Sequence, residues 1–203
     1  MNDTMTTAAI EADPTVPIIR VTRDFAATPA QLFRAHTDPE LFARWVGPDG
    51  MTTTLDRWDA STGGSWRYLA ARDGMEFGFH GCFHEVRPDR IVQTFTWEGD
   101  PDGVALETLD FEDLGDGRTR LRAQSLCDSF EGRDAWLRGG MEVGVDQGYA
   151  KLDALLGRGW PPPARRAAAA PRRCAPARRR PGPPPATGRG PRTRAVNPAL
   201  TAR

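Results

Sequence analysis

The stretch RDAWLRGGMEVGVDQGYAKLDALL, residues 133–156, decides how the rest of the chain has to fold. Leu137, Met141, Val145, Gly148, Leu152 and Leu155 recur every three or four residues, the spacing that lines side chains along one stripe of an α-helix. Arg138, Glu142, Asp146, Lys151 and Asp153 fall mostly away from that stripe, so the helix is expected to be amphipathic, with one face on apolar surface. Read as one helix it would run roughly 36 Å, enough to cross a small domain. Gly139, Gly140, Gly144 and Gly148 are the oddity, because an interior glycine costs about 1 kcal/mol of helix propensity against alanine. Glycines persist at that cost where a backbone packs tightly on another surface, or where small residues roof a ligand cavity. The sequence leaves both readings open.

What lies upstream of the helix is the surface it must cover. Residues 51–58, 65–70, 75–86, 91–98, 104–112 and 119–126 read as strands, separated by turn signals about every ten residues. Asp116-Gly117 between the last two is a strong hairpin signal, so antiparallel hairpins are expected and not βαβ crossovers. Thr119, Leu121 and Ala123 alternate with Arg120, Arg122 and Gln124, which gives this strand one dry face and one wet face. Asp128 or Ser129 is placed to cap the long helix.

Further back, residues 18–25 (IIRVTRDF) read as a first strand. Thr28-Pro29-Ala30-Gln31 has a capping residue, proline at the first helical position and glutamine three after the cap, starting a short helix that buries Leu32 and Phe33. Asp38-Pro39 starts a second, with Leu41, Phe42 and Trp45 inward, and Gly47-Pro48-Asp49-Gly50 stops it. The expected fold class is therefore α+β. A curved antiparallel sheet of six to seven strands wraps on a long C-terminal helix, with two short helices after the first strand. A sheet with one wet face has to cover the other, and the terminal helix is the large apolar cover on offer.

Charge is unevenly distributed. The whole chain has 27 basic and 27 acidic residues, but the 12 arginines beyond residue 157 leave 15 basic against 27 acidic before it, a net charge of −12. An acidic globular part does not suit nucleic acid, which needs clustered Lys and Arg. Residues 158–203 also hold 11 of the 18 prolines and no acid, so they are expected to be a disordered Arg/Pro/Ala-rich tail. That tail would touch polyanions weakly through charge, or be a dispensable extension resembling a shifted reading frame of GC-rich DNA. The expected organisation is a flexible lead over 1–16, one domain over 17–157 and the tail over 158–203. Cys82, Cys127 and Cys174 are odd in number without CxxC spacing, which fits a reducing compartment. With no signal pattern at the start and no apolar run of the roughly 18 residues that a span needs, a cytoplasmic protein without membrane contact is expected.

Four segments carry a resemblance. Arg44-Trp45-Val46-Gly47-Pro48-Asp49-Gly50, Gly63-Gly64-Ser65-Trp66-Arg67-Tyr68, the run from Glu85 to Val92 (EVRPDRIV) and the run from Arg133 to Val145 come in order and without large gaps. Together they resemble single-domain bacterial proteins akin to the C-terminal domain of the activator of heat-shock chaperone (Hsp) ATPase, within the START-like or SRPBCC superfamily. The resemblance covers residues 18–156. It implies a helix-grip fold, a cavity between sheet and helix, and a small apolar or aromatic ligand. It brings no catalytic motif, since the superfamily includes lipid carriers, hormone receptors and polyketide cyclases. The tail has no counterpart in the family pattern.

Expected on the cavity wall are Trp45, Trp66, Phe77, Phe79, Phe83, Phe95, Trp97, Leu109, Phe111, Met141 and Val145, with a filled aromatic core as the plain alternative. His80, Cys82 and His84 share one strand face, but His80 and His84 lie roughly 13 Å apart at strand rise, too far to hold one zinc ion together. No metal or other cofactor is expected. No serine sits in a GxSxG elbow, and neither GxGxxG nor GxxxxGK[ST] occurs, so nucleophilic catalysis and phosphate cradling lack a motif. Glu76, His80, Asp110 and His84 are the acid–base candidates, and spacing selects none of them. The leading expectation is sequestration or delivery of a small apolar molecule. The alternatives are a cyclase- or hydrolase-type enzyme using the same cavity, and a co-chaperone-like interaction module with a protein partner.

Overall fold

The computed structural model describes residues 7–157, so the tail reading lies outside the described residues. The expected order of elements is present, with one strand more than expected and one helix divided. The elements are β1 (Ala9–Ala12), β2 (Ile18–Phe25), α1 (Pro29–Thr37), α2 (Pro39–Trp45), β3 (Thr52–Trp58), β4 (Ser65–Arg72), β5 (Met75–Arg87), β6 (Arg90–Trp97), β7 (Val104–Gly115), β8 (Arg118–Leu126), α3 (Phe130–Arg138) and α4 (Met141–Gly157). The strands form one antiparallel sheet in the order β1-β2-β8-β7-β6-β5-β4-β3. The α+β fold is thus the one the pattern of hairpins and terminal helix implied, and its helix-grip arrangement is the one the family resemblance implied.

The extra strand lies within the stretch 1–16 expected to be a frayed lead, of which residues 1–6 fall outside the described residues. Ala9–Ala12 pairs with β2, placing Ile10 opposite Val21. A four-residue segment has no periodicity of its own, and its pairing is supplied by the open edge of β2. The turn that follows is held by Asp13, whose carboxylate accepts from the Thr15 and Val16 amides at 2.8 and 3.1 Å and from Arg20 at 2.6 Å.

The second correction concerns the long helix. The chain breaks between α3 and α4, where Gly139 caps α3 in a helical conformation and Gly140 takes φ = 78°. A left-handed residue cannot continue a right-handed helix, and glycine reaches that region without a Cβ penalty. Two of the four glycines therefore stop a helix. α4 alone spans roughly 26 Å. Its buried stripe is Met141, Gly144, Gly148, Tyr149, Leu152 and Leu155. Leu137 and Val145, expected on that stripe, are only half-buried.

Local capping follows the sequence signals. Thr28 and Gln31 form a reciprocal capping box on α1, Asp38 accepts from the Glu40 and Leu41 amides on α2, and Ser129 accepts from Gly132 on α3. The core is continuous from α1 through the sheet to α4, with Leu32, Leu121 and Leu152 fully buried. At one rim Asp24, itself buried, accepts from Arg120 in bidentate fashion at 2.7 and 2.9 Å.

Candidate functional site

The backbone of α4 runs close to α1, α2 and α3, and its Tyr149 ring meets Phe25 of β2 edge-on at 5.4 Å. Two devices fix it there. Gly148 brings α4 so near α2 that a Cβ in its place would lie 3.2 Å from the Trp45 carbonyl oxygen. Beside it Gln147 accepts from the Asp49 amide at 2.8 Å, and Lys151 donates to the Gly47 and Pro48 carbonyls at 2.7 and 3.3 Å. The helix is thereby clasped to the loop 46–51 instead of sinking onto the sheet. A hollow of about 230 Å³ remains between them.

The walls of this hollow are mostly aromatic. Trp45 and Trp58 close one side, their indole N–H groups tied to the carbonyls of Ala35 (2.9 Å) and Thr37 (2.8 Å) at the end of α1. Trp66 stacks on Tyr68 with centroids 5.6 Å apart, and Phe95 meets both Trp66 (5.7 Å) and Trp136 of α3 (5.4 Å). Gly81 makes room for the Trp66 ring, because a Cβ there would sit 2.7 Å from it. Met141, Gly144, Val145, Gly148 and Tyr149 supply the roof. The glycines of α4 thus serve both readings of the sequence, with Gly148 at a tight backbone approach and also, like Gly144, on the cavity wall.

Of the eleven residues expected on the wall, Trp45, Trp66, Phe83, Phe95, Leu109, Met141 and Val145 are there. Phe77, Phe79, Trp97 and Phe111 are not. Phe79 is stacked on Tyr68 at 5.0 Å, and Phe111 is packed against Phe33 and His36 at 6.1 and 5.3 Å. Phe77 and Trp97 lie at the margin of the core. Alternation assigns a face correctly in all four cases, but not a position along that face, and these rings fill core beyond the hollow.

The acid–base candidates fare differently. Glu76, His80 and His84 are exposed, Asp110 pairs with Arg90 at 2.7 Å, and none of the four lines the cavity. His80, Cys82 and His84 all face solvent, and among the described residues no cluster of three or more His, Cys, Asp or Glu could hold a metal ion.

The polar groups that do line the cavity are not among the residues expected there. Gln93, Glu107 and Ser125 stand side by side across β6, β7 and β8, since Gln93 is paired with Glu107 and Glu107 with Ser125. The Glu107 carboxyl accepts from Gln93 Nε2 at 2.9 Å and from Ser125 Oγ at 3.3 Å. Burial pushes it above the usual carboxylate range, and those two hydrogen bonds oppose the shift. It also lies close enough to act on Tyr68 and Tyr149, both pushed up by burial first and by Glu107 second. The signal for Glu107 was present, as an acid in the run Ala105, Glu107, Leu109, Phe111, whose other members are apolar and share its face. His36, four residues after the buried Leu32, had a comparable one. Its Nδ1 donates to the Leu32 carbonyl at 2.8 Å, which leaves Nε2 as a bare acceptor, buried and without a partner. Burial lowers its pKa to about 4, so the ring is neutral at pH 7. Trp66 Nε1 is likewise buried without a partner.

The same layered arrangement recurs in known structures. A Rhodobacter sphaeroides protein matches with 27% identity and a TM-score of 0.66, over 73% of this chain and 97% of that one. A Chromobacterium violaceum protein matches with 26% identity and a TM-score of 0.60, over 68% of this chain and 96% of that one. A Mycobacterium smegmatis protein shares the fold at 22% identity, with a TM-score of 0.67, over 74% of this chain and 96% of that one. No curated protein matches the chain. Among the described residues no helix is long and apolar enough to cross a membrane. Residues 26–157, from just after β2 to the end of α4, match the model of one family, and on that match the chain belongs to the Activator of Hsp90 ATPase homolog 1-like proteins.

Proposed function

We propose that this protein binds a small, largely apolar aromatic molecule in the hollow between sheet and C-terminal helices, and works by sequestering or delivering it. The observation that carries the reading is the aromatic-walled cavity itself. A hollow of about 150 Å³ is enough to hold benzene, so 230 Å³ has room for one or two fused rings. Clefts lined by aromatic side chains with a few convergent polar groups are the usual form of a small-molecule site. Thermal unfolding in the presence of naphthalene tests it. Binding to the folded state alone raises Tm with ligand concentration. Val145→Trp, which fills the hollow from α4, should abolish the rise. No Tm shift in the unmodified protein, together with an apo mass only in native mass spectrometry of fresh preparations, would sink the proposal.

A second reading, chemistry on the bound molecule, draws on the unpartnered Nε2 of His36 and the Glu107 carboxyl, both on cavity-lining residues. Its test is turnover that disappears in Glu107→Gln and His36→Gln while arene binding is kept. A chaperone-activating role is suggested by the family's name, and a pull-down with the chaperone would test it.

A further inference from the structure

We propose that the molecule held in the cavity is a hydrophobic amine, an aromatic ring system carrying a protonated nitrogen, and that Glu107 is the group that recognises the charge. This rests on the reading of the hollow as a site for a small aromatic ligand and adds the sign of the ligand's charge. Two independent observations point the same way.

The first is the polar row. Among the described residues that line the cavity Glu107 is the only carboxylate, and no lysine or arginine is among them. Gln93 and Ser125, from the strands on either side, both donate to it. Two donors aimed at one carboxyl orient it and favour its anionic form, while the remaining lone pairs stay free for a ligand donor. No basic side chain among the described lining residues faces this carboxyl. Desolvation disfavours the anion, and a bound ammonium would offset that cost as its charge partner.

The second is the wall. Trp45, Trp58, Trp66, Phe83, Phe95 and Trp136 surround the row with π faces. An ammonium within about 6 Å of such a face is attracted by the ring quadrupole, and most strongly by tryptophan. An anion gains nothing from those faces, and among the described lining residues the one group able to become a cation, His36, is neutral at pH 7.

The decisive comparison uses three probes of one shape. 1-Naphthylmethylamine is cationic at pH 7, 1-methylnaphthalene neutral and 1-naphthoate anionic. Calorimetric titration is done on the full chain in about 0.15 M salt, where the Debye length of about 8 Å screens the outer surface. The amine should bind about 10- to 100-fold more tightly than methylnaphthalene, the range of one charge-assisted hydrogen bond, and naphthoate most weakly. Glu107→Gln preserves shape and removes the charge. It should bring the amine to within about twofold of methylnaphthalene measured on the same variant. Equal or weaker binding of the amine in the unmodified protein overturns the inference while sparing the aromatic-ligand reading. So does an amine preference that survives in Glu107→Gln. Failure of all three probes to bind overturns both.

Discussion

Acidification should remove stability through His36, and the size of the loss follows from its burial. The pKa in the folded protein is lowered from 6.5 to about 4, so the unfolded chain takes up the proton first as pH falls. The stabilisation from keeping this ring neutral is complete above pH 6.5 and is lost progressively as pH drops towards 4. One pKa unit corresponds to about 1.36 kcal/mol, so between pH 7.5 and 4.5 the loss is about 2.5 kcal/mol. Glu107 acts in the opposite direction. Its folded pKa is raised, so acidification relieves the cost of its buried charge. The raw pH profile therefore mixes the two groups, and the informative quantity is the difference between the unmodified protein and His36→Gln. Urea unfolding at several pH values between 7.5 and 4.5 measures it. With m about 2 kcal/mol/M, the gap between the two midpoints should change by roughly 1 M across that range. Parallel profiles would refute the assignment of a buried, neutral imidazole at this position, whatever the absolute stability of the variant.

Three further outcomes follow from the packing. Gly81→Ala should lower stability by about 2–3 kcal/mol in chemical denaturation, because the new Cβ would meet both the Thr94 carbonyl at 1.9 Å and the Trp66 ring; an unchanged Tm would mean that the indole does not lie over this glycine. Gly140→Ala should cost about 1 kcal/mol, since φ = 78° is unfavourable for an L side chain, and a stabilised variant would show that α3 and α4 can fuse into one helix. Arg120→Met should cost about 2 kcal/mol by taking the bidentate partner from the buried Asp24, whereas Arg122→Met, which breaks an exposed pair with Glu112, should be near neutral. Equal effects of the two would show that burial at Asp24 does not matter.

Much of this molecule was fixed by short-range pattern. The capping box at Thr28 and Gln31, the Asp38-Pro39 start, the Asp116-Gly117 hairpin and the alternation of Thr119, Leu121 and Ala123 each depend on residues a few positions apart. Such signals survive without knowledge of the rest of the chain, and they fixed the order of elements and the face on which Trp66, Phe83 and Phe95 stand. The break at Gly139 and Gly140 is a local event that periodicity does not reveal, because an apolar stripe can run through two helices as easily as through one.

Tertiary structure decided the rest, through distances that no local pattern contains. β1 exists because β2 offers it an open edge. The height of α4 above the sheet is set by Gly148 against Trp45 and by Lys151 on the loop carbonyls, a hundred residues away in sequence. That height determines which aromatic rings line a hollow and which, like Phe79 and Phe111, fill the core. The Gln93–Glu107–Ser125 row depends on the register of three strands, and one residue of slip would turn the carboxyl out to solvent. Sequence periodicity places a side chain on a face, but only the long-range pairing of strands and the clasp on the helix bring those faces together around a space.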